Sequence, residues 1–502
     1  MGAAAFREAA LHAFREAPLR ATVNMETMQS VAAALARLGD LAATPAVSRL
    51  AAAFEAAGHE LALVGGPVRD AFLDRGTNDL DFTTNASPEQ ILAIVTPISE
   101  AQWDIGRQFG TIAAKIAGET VEITTYRTDS YVDGTRKPEV VFGTSLDEDL
   151  VRRDFTVNSI ALRLPQMALV DPSGGIEDIL DGRLRTPAAP EQSFGDDPLR
   201  MMRAARFASQ LGFELDAAAF TAMTAGAESI RRISIERVND ELSKLLKTDA
   251  PRAGLELLVD SGIAAIVLPE LPALRLEIDE HHHHKDVYEH SLTVLEQAIG
   301  YEKSRGKLQS PDLILRLASL LHDIGKPATR RLEPGGVVSF HHHDYVGSKL
   351  AKKRLRELRF DNDTIAAVGL LIELHLRFFG YTEGAWTDSA VRRYVRDAGD
   401  QLERLHILTR ADVTTRNRRK ADRLGFAYDD IETRIAQLAE EEEMNAVRPD
   451  LDGEQIMSLL GIRPGREVGE AYRFLLELRL DEGPLGEEAA TERLLAWWAA
   501  RD

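Results

Sequence analysis

The sequence contains no cysteine. Disulfides and thiolate metal sites are therefore excluded, as suits a reducing cytosol. No apolar run approaches the length needed to span a bilayer. The first twenty residues, "MGAAAFREAALHAFREAPLR", mix Glu8 and Glu16 with arginines and lack a secretory apolar core. They read as a poorly ordered extension, with Met25 and Met28 as alternative starts. Positive charge is in deficit: 60 Lys and Arg against 80 Asp and Glu leave a formal net charge of −20. That balance argues against a non-specific nucleic-acid binder, so any grip on RNA has to rest on local basic stripes. Internal repeats and low-complexity tracts are absent as well.

What remains is ordinary globular sequence, 44% hydrophobic and 28% charged over 502 residues. This length is too great for one core. Between about 60 and 165 the chain offers short β-rich runs ("LALVGG", "LDFTT", "TIAAKIAG", "TVEITTYR", "EVVFG", "SIALRL") separated by turn residues. After about 190 apolar residues recur at helical spacing, as in "DDPLRMMRAARFASQL" and "LILRLASLLHDIGK". Pro269 and Pro272 mark a break between two helical parts. The expected fold is multi-domain and mostly α. Its parts are an N-terminal extension (1–45), an α+β head (46–165), an all-α neck (166–275), a histidine-rich helical domain (276–430) and an acidic helical tail (431–502).

Two patterns carry chemistry. In "LVGGPVRDAFLDRGTNDLDFTT", Gly65 and Gly66 sit between a strand and a helix, where bare backbone amides are able to approach a phosphate. Alone this is only a tight turn. Asp79 and Asp81 follow at i and i+2, on one face of a strand, and two such carboxylates repel unless a cation lies between them. Mg²⁺ suits that oxygen set.

These residues resemble the opening motif of the nucleotidyltransferase head in the DNA polymerase β superfamily. The form is that of bacterial class II tRNA nucleotidyltransferases and their poly(A) polymerase relatives. Further landmarks follow in the family's order: "RRDFTVNSIAL", "DPSGGIEDILDGRLRT", "DDPLRMMRAARFASQLGF" and "SIERVNDELSKLL". The resemblance implies that Asp79 and Asp81 hold Mg²⁺, with Glu122 as a third carboxylate. It places Arg69 and Asp70 near the phosphate turn, and Arg152, Arg153, Asp154 and Asn158 against triphosphate and ribose. Asp197 and Arg200 match the two positions that read the incoming base, while Asp196 stands where glutamate is common. A carboxylate accepts from the exocyclic amine of C or A and Arg donates to the adjacent ring acceptor, whereas U and G present a carbonyl there. Arg203 and Arg206 would extend a basic stripe for triphosphate or the tRNA end. The segment 127–143 resembles the flexible loop of full CCA-adding members.

The second pattern is built from histidines. His290, the adjacent His322–Asp323 and the distant Asp412 have the order and spacing of an HD-type phosphohydrolase domain, which the sequence resembles from "VYEHSLTVL" onward. The resemblance extends to His343 and His375, as ligands of a second metal or contacts to phosphate. An all-N/O donor set suits Mn²⁺, Fe²⁺, Ni²⁺ or Mg²⁺ better than structural zinc. His281–His284 read as helix-start residues flanking that site, His284 being the one placed to touch an anionic substrate. The functional expectation is addition and repair of the tRNA 3′-terminal CCA from CTP and ATP in the cytoplasm, beside a metal-dependent phosphohydrolase. No membrane is involved and no oligomeric state is implied. Poly(A) polymerase and CC-only or A-only addition share these motifs. An HD hydrolase whose head only binds RNA is the alternative of another class.

Overall fold

A computed structural model describes residues 25–76, 79–104, 110–130, 139–275, 286–334, 338–378, 381, 386–413, 418–442 and 448–501. The expected roles of His281–His284 and of the centre of the 127–143 segment fall outside these residues. The chain folds as two units, one formed by 1–245 with 253–266 and the other by 246–252 with 267–502.

The first unit begins with two helices, α1 (Met25–Ala42) and α2 (Pro45–Ala56). They are followed by β1 (Leu61–Val64), α3 (Gly66–Phe72), β2 (Leu80–Thr84), α4 (Pro88–Val95), β3 (Ala101–Trp103), β4 (Thr111–Ile116) and β5 (Glu119–Thr125). A hairpin of β6 (Arg127–Ser130) and β7 (Glu139–Phe142), the short helix α5 (Leu146–Val151), β8 (Ala161–Leu164) and β9 (Ala168–Val170) complete the head. Seven strands form one mixed sheet in the order β3-β4-β5-β2-β1-β8-β9. The six runs read as β from sequence are strands, while β3, β6 and β9 are too short to show a period.

Two boundaries of the first unit differ from expectation. The segment 1–45 is no appendage from Met25 onward: Val31, Leu35 and Leu38 of α1 are almost fully buried in the same cluster as Phe82, Ile112 and Leu162 of the sheet. Their three- and four-residue spacing makes α1 a core helix. The head also does not stop at 165, because β9 extends the sheet to Val170. Ile176 and Ile179 of α6 (Gly175–Asp181), and Ala204, Phe207 and Leu211 beyond it, join that one apolar cluster. The neck comprises α7 (Pro190–Asp196), α8 (Leu199–Leu211), α9 (Ala217–Gly226), α10 (Ile235–Leu246) and α11 (Arg252–Asp260), and it is α8 that continues the head core.

The second unit is helical. It contains α12 (Val287–Arg305), α13 (Leu313–Leu321), α14 (His343–Glu357), α15 (Asn362–Leu374), α16 (Asp388–Ala398), α17 (Leu402–Ala411) and α18 (Arg418–Glu442). Arg316 of α13 is fully buried, donating to Glu302 at 3.0 Å and to the carbonyls of Leu246 and Thr248 at 2.8 and 2.7 Å. Such a buried pair is tolerable only because its remaining donors are satisfied. The boundary expected at 430 lies inside α18. The tail has its own small core, Leu451, Ile456, Ala471, Leu475, Ala490 and Leu494, spread over α19 (Gly453–Leu460), α20 (Arg466–Glu482) and α21 (Gly486–Ala499). The basic stretch "RRYVR" in α16 fastens this tail. Arg393 pairs with Glu477 and Asp481, Arg396 with Glu477, and Arg392 donates to the carbonyl of Leu480.

The packing of α1 predicts that Leu38→Ala lowers stability by about 2–4 kcal/mol in chemical denaturation. A variant beginning at Pro45 should melt at lower temperature than the full chain. An unchanged melting point would mean that α1 is dispensable to the core.

Candidate functional sites

β1 ends at Val64 and the chain turns through Gly65, whose φ of 75° disfavours any side chain, before entering α3. A Cβ at Gly65 would lie 3.6 Å from Nη1 of Arg153, so that guanidinium faces the turn. β2 pairs in parallel with β5, in a register that places Asp81 opposite Glu122. Asp79 lies just ahead of β2 and is exposed, as is Glu122. Burial raises the Asp81 carboxyl, and Glu122 and Asp79 add to the rise against Arg153, bringing it up to about 6. A group of negative charges with one opposing arginine is chemically suited to a divalent cation. Among the described residues, however, the side chains whose donor atoms converge within 4.8 Å are all in the second unit.

Five of the expected nucleotide contacts form one internal relay. Arg69 donates to Asp70 at 2.8 Å and to Asn158 at 2.6 Å, and Asn158 donates to Asp154 at 3.1 Å. Arg203 donates twice to the other oxygen of Asp154, at 2.8 and 2.5 Å. Burial works against the charge on Asp154, but Arg203 and the surrounding donors hold its carboxyl well below the usual range. Arg206 donates to the buried Glu241 at 2.7 Å. The guanidiniums of Arg69, Arg203 and Arg206 all lie over the ring of Phe207, at 5.5, 5.4 and 4.1 Å. Arg203 and Arg206 are thus ion-paired to Asp154 and Glu241.

The base-reading pair is held differently. Asp197 accepts from the amide of Leu199 at 3.1 Å through Oδ1 and from Arg237 at 2.9 Å through Oδ2. Arg200 donates to the hydroxyl of Ser193 at 2.8 Å and to the carbonyl of Arg152 at 2.6 Å. Both side chains are oriented before any nucleotide arrives. Arg237 and Ser193 were not singled out from sequence, and no spacing within one element could have found them. Asp149 was also passed over. It anchors both Arg152 and Arg153, and its i,i+3 and i,i+4 spacing to them was the available signal. In "DPSGGIEDILDGRLRT" the polar residues serve the fold: Asp171 caps the amides of Gly175 and Ile176, and buried Asp178 binds Thr156 and Arg185.

The histidines and aspartates of the second pattern lie close together. His290 Nε2 lies 2.9 Å from Asp412 Oδ1 and 3.3 Å from His322 Nε2. Asp323 stands between two groups of donors. Its Oδ2 is 3.2 Å from His322 and 3.5 Å from His290, and its Oδ1 is 3.3 Å from His343. The two groups are His290, His322 and Asp412, and Asp323, His343 and His375. Three imidazoles share one restraint: Nδ1 of His322, His343 and His375 meets the carbonyl three residues earlier, of Ser319, Phe340 and Ile372, at 2.9, 2.8 and 2.6 Å. This leaves the hydrogen on Nδ1 and turns Nε2 inward, the orientation that a metal-ligating imidazole needs. Nε2 of His375 is buried with no hydrogen-bond partner among the described residues. Burial opposes charge on His322, yet Asp323 and Asp412 raise it to about 10, while burial lowers His375 to about 4. The donor set fits a divalent metal in each group. Lys326, 2.5 Å from Asp323 Oδ2, adds a cation that the sequence reading left out. His341 is exposed, and His342 opens α14 in a left-handed conformation.

Three family models match the chain: Poly A polymerase head domain at 61–185, Probable RNA and SrmB- binding site of polymerase A at 212–274, and HD domain at 287–417. The chain is similar to an A-adding tRNA nucleotidyltransferase of Deinococcus radiodurans, with 33% identity over 87% of this chain and 95% of that protein. A CCA-adding enzyme of Bacillus subtilis is 41% identical, over 41% of this chain and about half (51%) of that relative. The solved CCA-adding enzyme of Bacillus stearothermophilus in complex with CTP superposes with a TM-score of 0.66. It has 25% identity and covers 91% of this chain and 99% of its own. A Thermotoga maritima CCA-adding enzyme complexed with tRNA shares the fold at 18% identity, with a TM-score of 0.57 over 89% of this chain and 94% of its own. No helix among the described residues is long and apolar enough to cross a membrane.

The raised carboxyl of Asp81 carries a pH signature. A carboxyl whose folded value lies above its ordinary 3.8 favours the fold at acid pH, and that contribution is lost as pH rises through about 6. Without divalent metal, Asp81→Asn should therefore raise the melting temperature at pH 7.5 and leave it nearly unchanged at pH 4. Equal melting curves at both pH values would remove the strain from this site. In the second unit, His322→Ala should abolish tight Mn²⁺ or Ni²⁺ binding measured by elemental analysis, and His375→Ala should weaken it at least tenfold. Wild-type metal content in both variants would mean that these imidazoles are structural.

Proposed function

The chain belongs to the tRNA nucleotidyltransferase/poly(A) polymerase family, and from that premise we propose that it adds and repairs the 3′-terminal CCA of tRNA. CTP and ATP are the donors and no nucleic-acid template is used. The observation that carries this reading is the pairing of Asp81 with Glu122 beside Arg153 and the Gly65 turn. Mg²⁺ held by Asp79 and Asp81, with Glu122 as the third carboxylate, would acidify the attacking 3′ hydroxyl and neutralise the triphosphate. The chain's own side chains do the rest. Arg152 and Arg153 bind the triphosphate. The Asp70–Arg69–Asn158–Asp154–Arg203 relay forms the floor beneath the ribose and keeps these groups in place.

Base choice falls to Asp197 and Arg200. The carboxylate, held by the Leu199 amide and Arg237, has lone pairs left to accept from the exocyclic amine of cytosine or adenine. Arg200, held by Ser193 and the Arg152 carbonyl, donates to the neighbouring ring nitrogen. A uracil or guanine carbonyl facing Asp197 would leave two acceptors opposed, the kind of mismatch that excludes a substrate strongly.

The HD domain supplies a second activity in this reading, metal-dependent hydrolysis of phosphate esters. His290, His322, Asp323 and Asp412 would hold Mn²⁺, Fe²⁺, Ni²⁺ or Mg²⁺, which polarises the phosphoryl group and activates water. His343 and His375 complete the second donor group. Trimming a damaged RNA end to a free hydroxyl, beside a site that extends such ends, makes a coherent pair of reactions in the cytoplasm.

A-only addition is the second reading, favoured by the name of the relative matched over 95% of its length. Purified protein with Mg²⁺, CTP and ATP should convert a tRNA lacking CCA to one ending cleanly in CCA, read by 3′-end sequencing. Extension only of a tRNA already ending in CC would select the A-only reading, and open-ended A tails would mean poly(A) polymerase. Asp79→Ala should abolish incorporation by at least a thousandfold and spare hydrolysis at the HD site. Incorporation that survives this change would overturn the assignment of the head.

A further inference from the structure

Asp149 is fully buried on α5, and both its oxygens are occupied. Oδ1 accepts from Arg152 Nε at 3.1 Å, Arg152 Nη2 at 2.9 Å and the amide of Arg127 at 3.2 Å. Oδ2 accepts from Arg153 Nη2 at 3.1 Å and the hydroxyl of Thr83 at 3.2 Å. Four segments therefore converge on one carboxylate. They are the metal-binding strand β2 through Thr83, the start of the 127–143 segment through Arg127, α5 itself, and the arginine pair. Burial opposes the charge, but Arg153 and Arg152 outweigh it and hold the carboxyl below its ordinary value.

A buried charge is a costly way to fasten a six-residue helix, since an apolar residue of similar size would do as well. What an apolar residue cannot do is aim two guanidiniums. Arg152 and Arg153 are about one-fifth exposed, so each reaches outward from a buried anchor. Arg153 faces the Gly65 turn and lowers Asp81 electrostatically, so one guanidinium links the buried carboxylate to the one on β2. Its Nε is buried with no acceptor among the described residues, a donor that an anionic oxygen would satisfy. Thr83 lies two residues beyond Asp81, on the same face of β2, so the anchor is tied to the strand whose carboxylate the arginines must serve.

We propose that Asp149 is a positioning residue for the nucleoside triphosphate: it holds Arg152 and Arg153 at a fixed place relative to Asp81. This rests on the reading of the head as a nucleotidyltransferase whose arginine pair meets the triphosphate. The carboxylate touches no substrate. Its effect is on affinity for the triphosphate, equally for CTP and ATP, because base choice is read by other side chains.

The test uses the full chain, tRNA substrate, and two competitive inhibitors, inorganic tripolyphosphate and CMP. Asp149→Asn keeps the shape but faces the guanidiniums with an amide. It should raise KM for CTP and ATP by the same factor, tenfold or more, and weaken tripolyphosphate inhibition to match. Inhibition by CMP and the preference for CTP over UTP should stay as in wild type. Wild-type KM and tripolyphosphate inhibition, or equal losses for CMP and tripolyphosphate, would overturn the proposal. Should Asp149→Asn not fold, Thr83→Val removes one donor only. It should weaken tripolyphosphate two- to threefold, and no change there overturns the proposal as well. Arg153→Gln separates the two levels. If it too retains tripolyphosphate affinity, the reading of the arginine pair has failed. If it loses that affinity while Asp149→Asn does not, only the role of Asp149 has failed.

Discussion

Parallel pairing of β2 with β5 sets Asp81 beside Glu122, and the rest of the head is arranged around that register. A slip of one residue would turn Asp81 to the opposite face and bring Leu80 or Phe82 into its place. The apolar residues prevent this slip. Phe82 and Ile123 are directly paired, and both lie in the large head cluster with almost no exposure. Burial of the inner face thus holds like charges together on the outer one, against their repulsion. The stability that packing provides appears locally as a raised carboxyl, ready for a cation.

The second unit reaches a comparable result with a different device. A helix ends with carbonyls that lack partners. Ser319 and Ile372 are in the last turns of α13 and α15, and their oxygens accept from His322 and His375, each just past its helix. A loose end of secondary structure is thereby used to orient a metal ligand. Gly325 belongs to the same construction: a Cβ there would lie 2.1 Å from the carbonyl of His343, so only glycine lets α14 bring His343 up to Asp323. Glycine and histidine in "HDIGK" and "HHHD" are therefore parts of one packing arrangement.

Much of this was legible in the sequence, and the failures have physical causes. Asp79 and Asp81 stood out by their spacing, and His322 and Asp323 by resemblance to a family motif. The long helices and the strands with clear alternation stood out as well. Side chains whose role depends on a partner far along the chain did not. Arg203 and Arg206 look solvated at three-residue spacing, and only the fold brings Asp154 and Glu241 to them. Arg237 reaches Asp197 across 40 positions. The β9 strand was hidden by its length and α1 by its place beside an odd N-terminus. The acids that neutralise the basic run in α16 lie more than 80 residues further on, beyond the reach of any local pattern.

The acidic tail is attached in a way the neck is not. Neck and head share one apolar cluster, while the tail encloses six buried residues of its own and meets α16 through surface ion pairs and a backbone contact. Recombination that cuts a gene within a shared core yields two fragments that cannot close, and selection discards them. A cut near Leu451 leaves the tail's own apolar cluster whole and uncovers its seam with α16, ion pairs together with buried Arg392 and Leu480. Descent therefore has an easy place to exchange one ending for another, and the two parts of this chain are free to carry different histories.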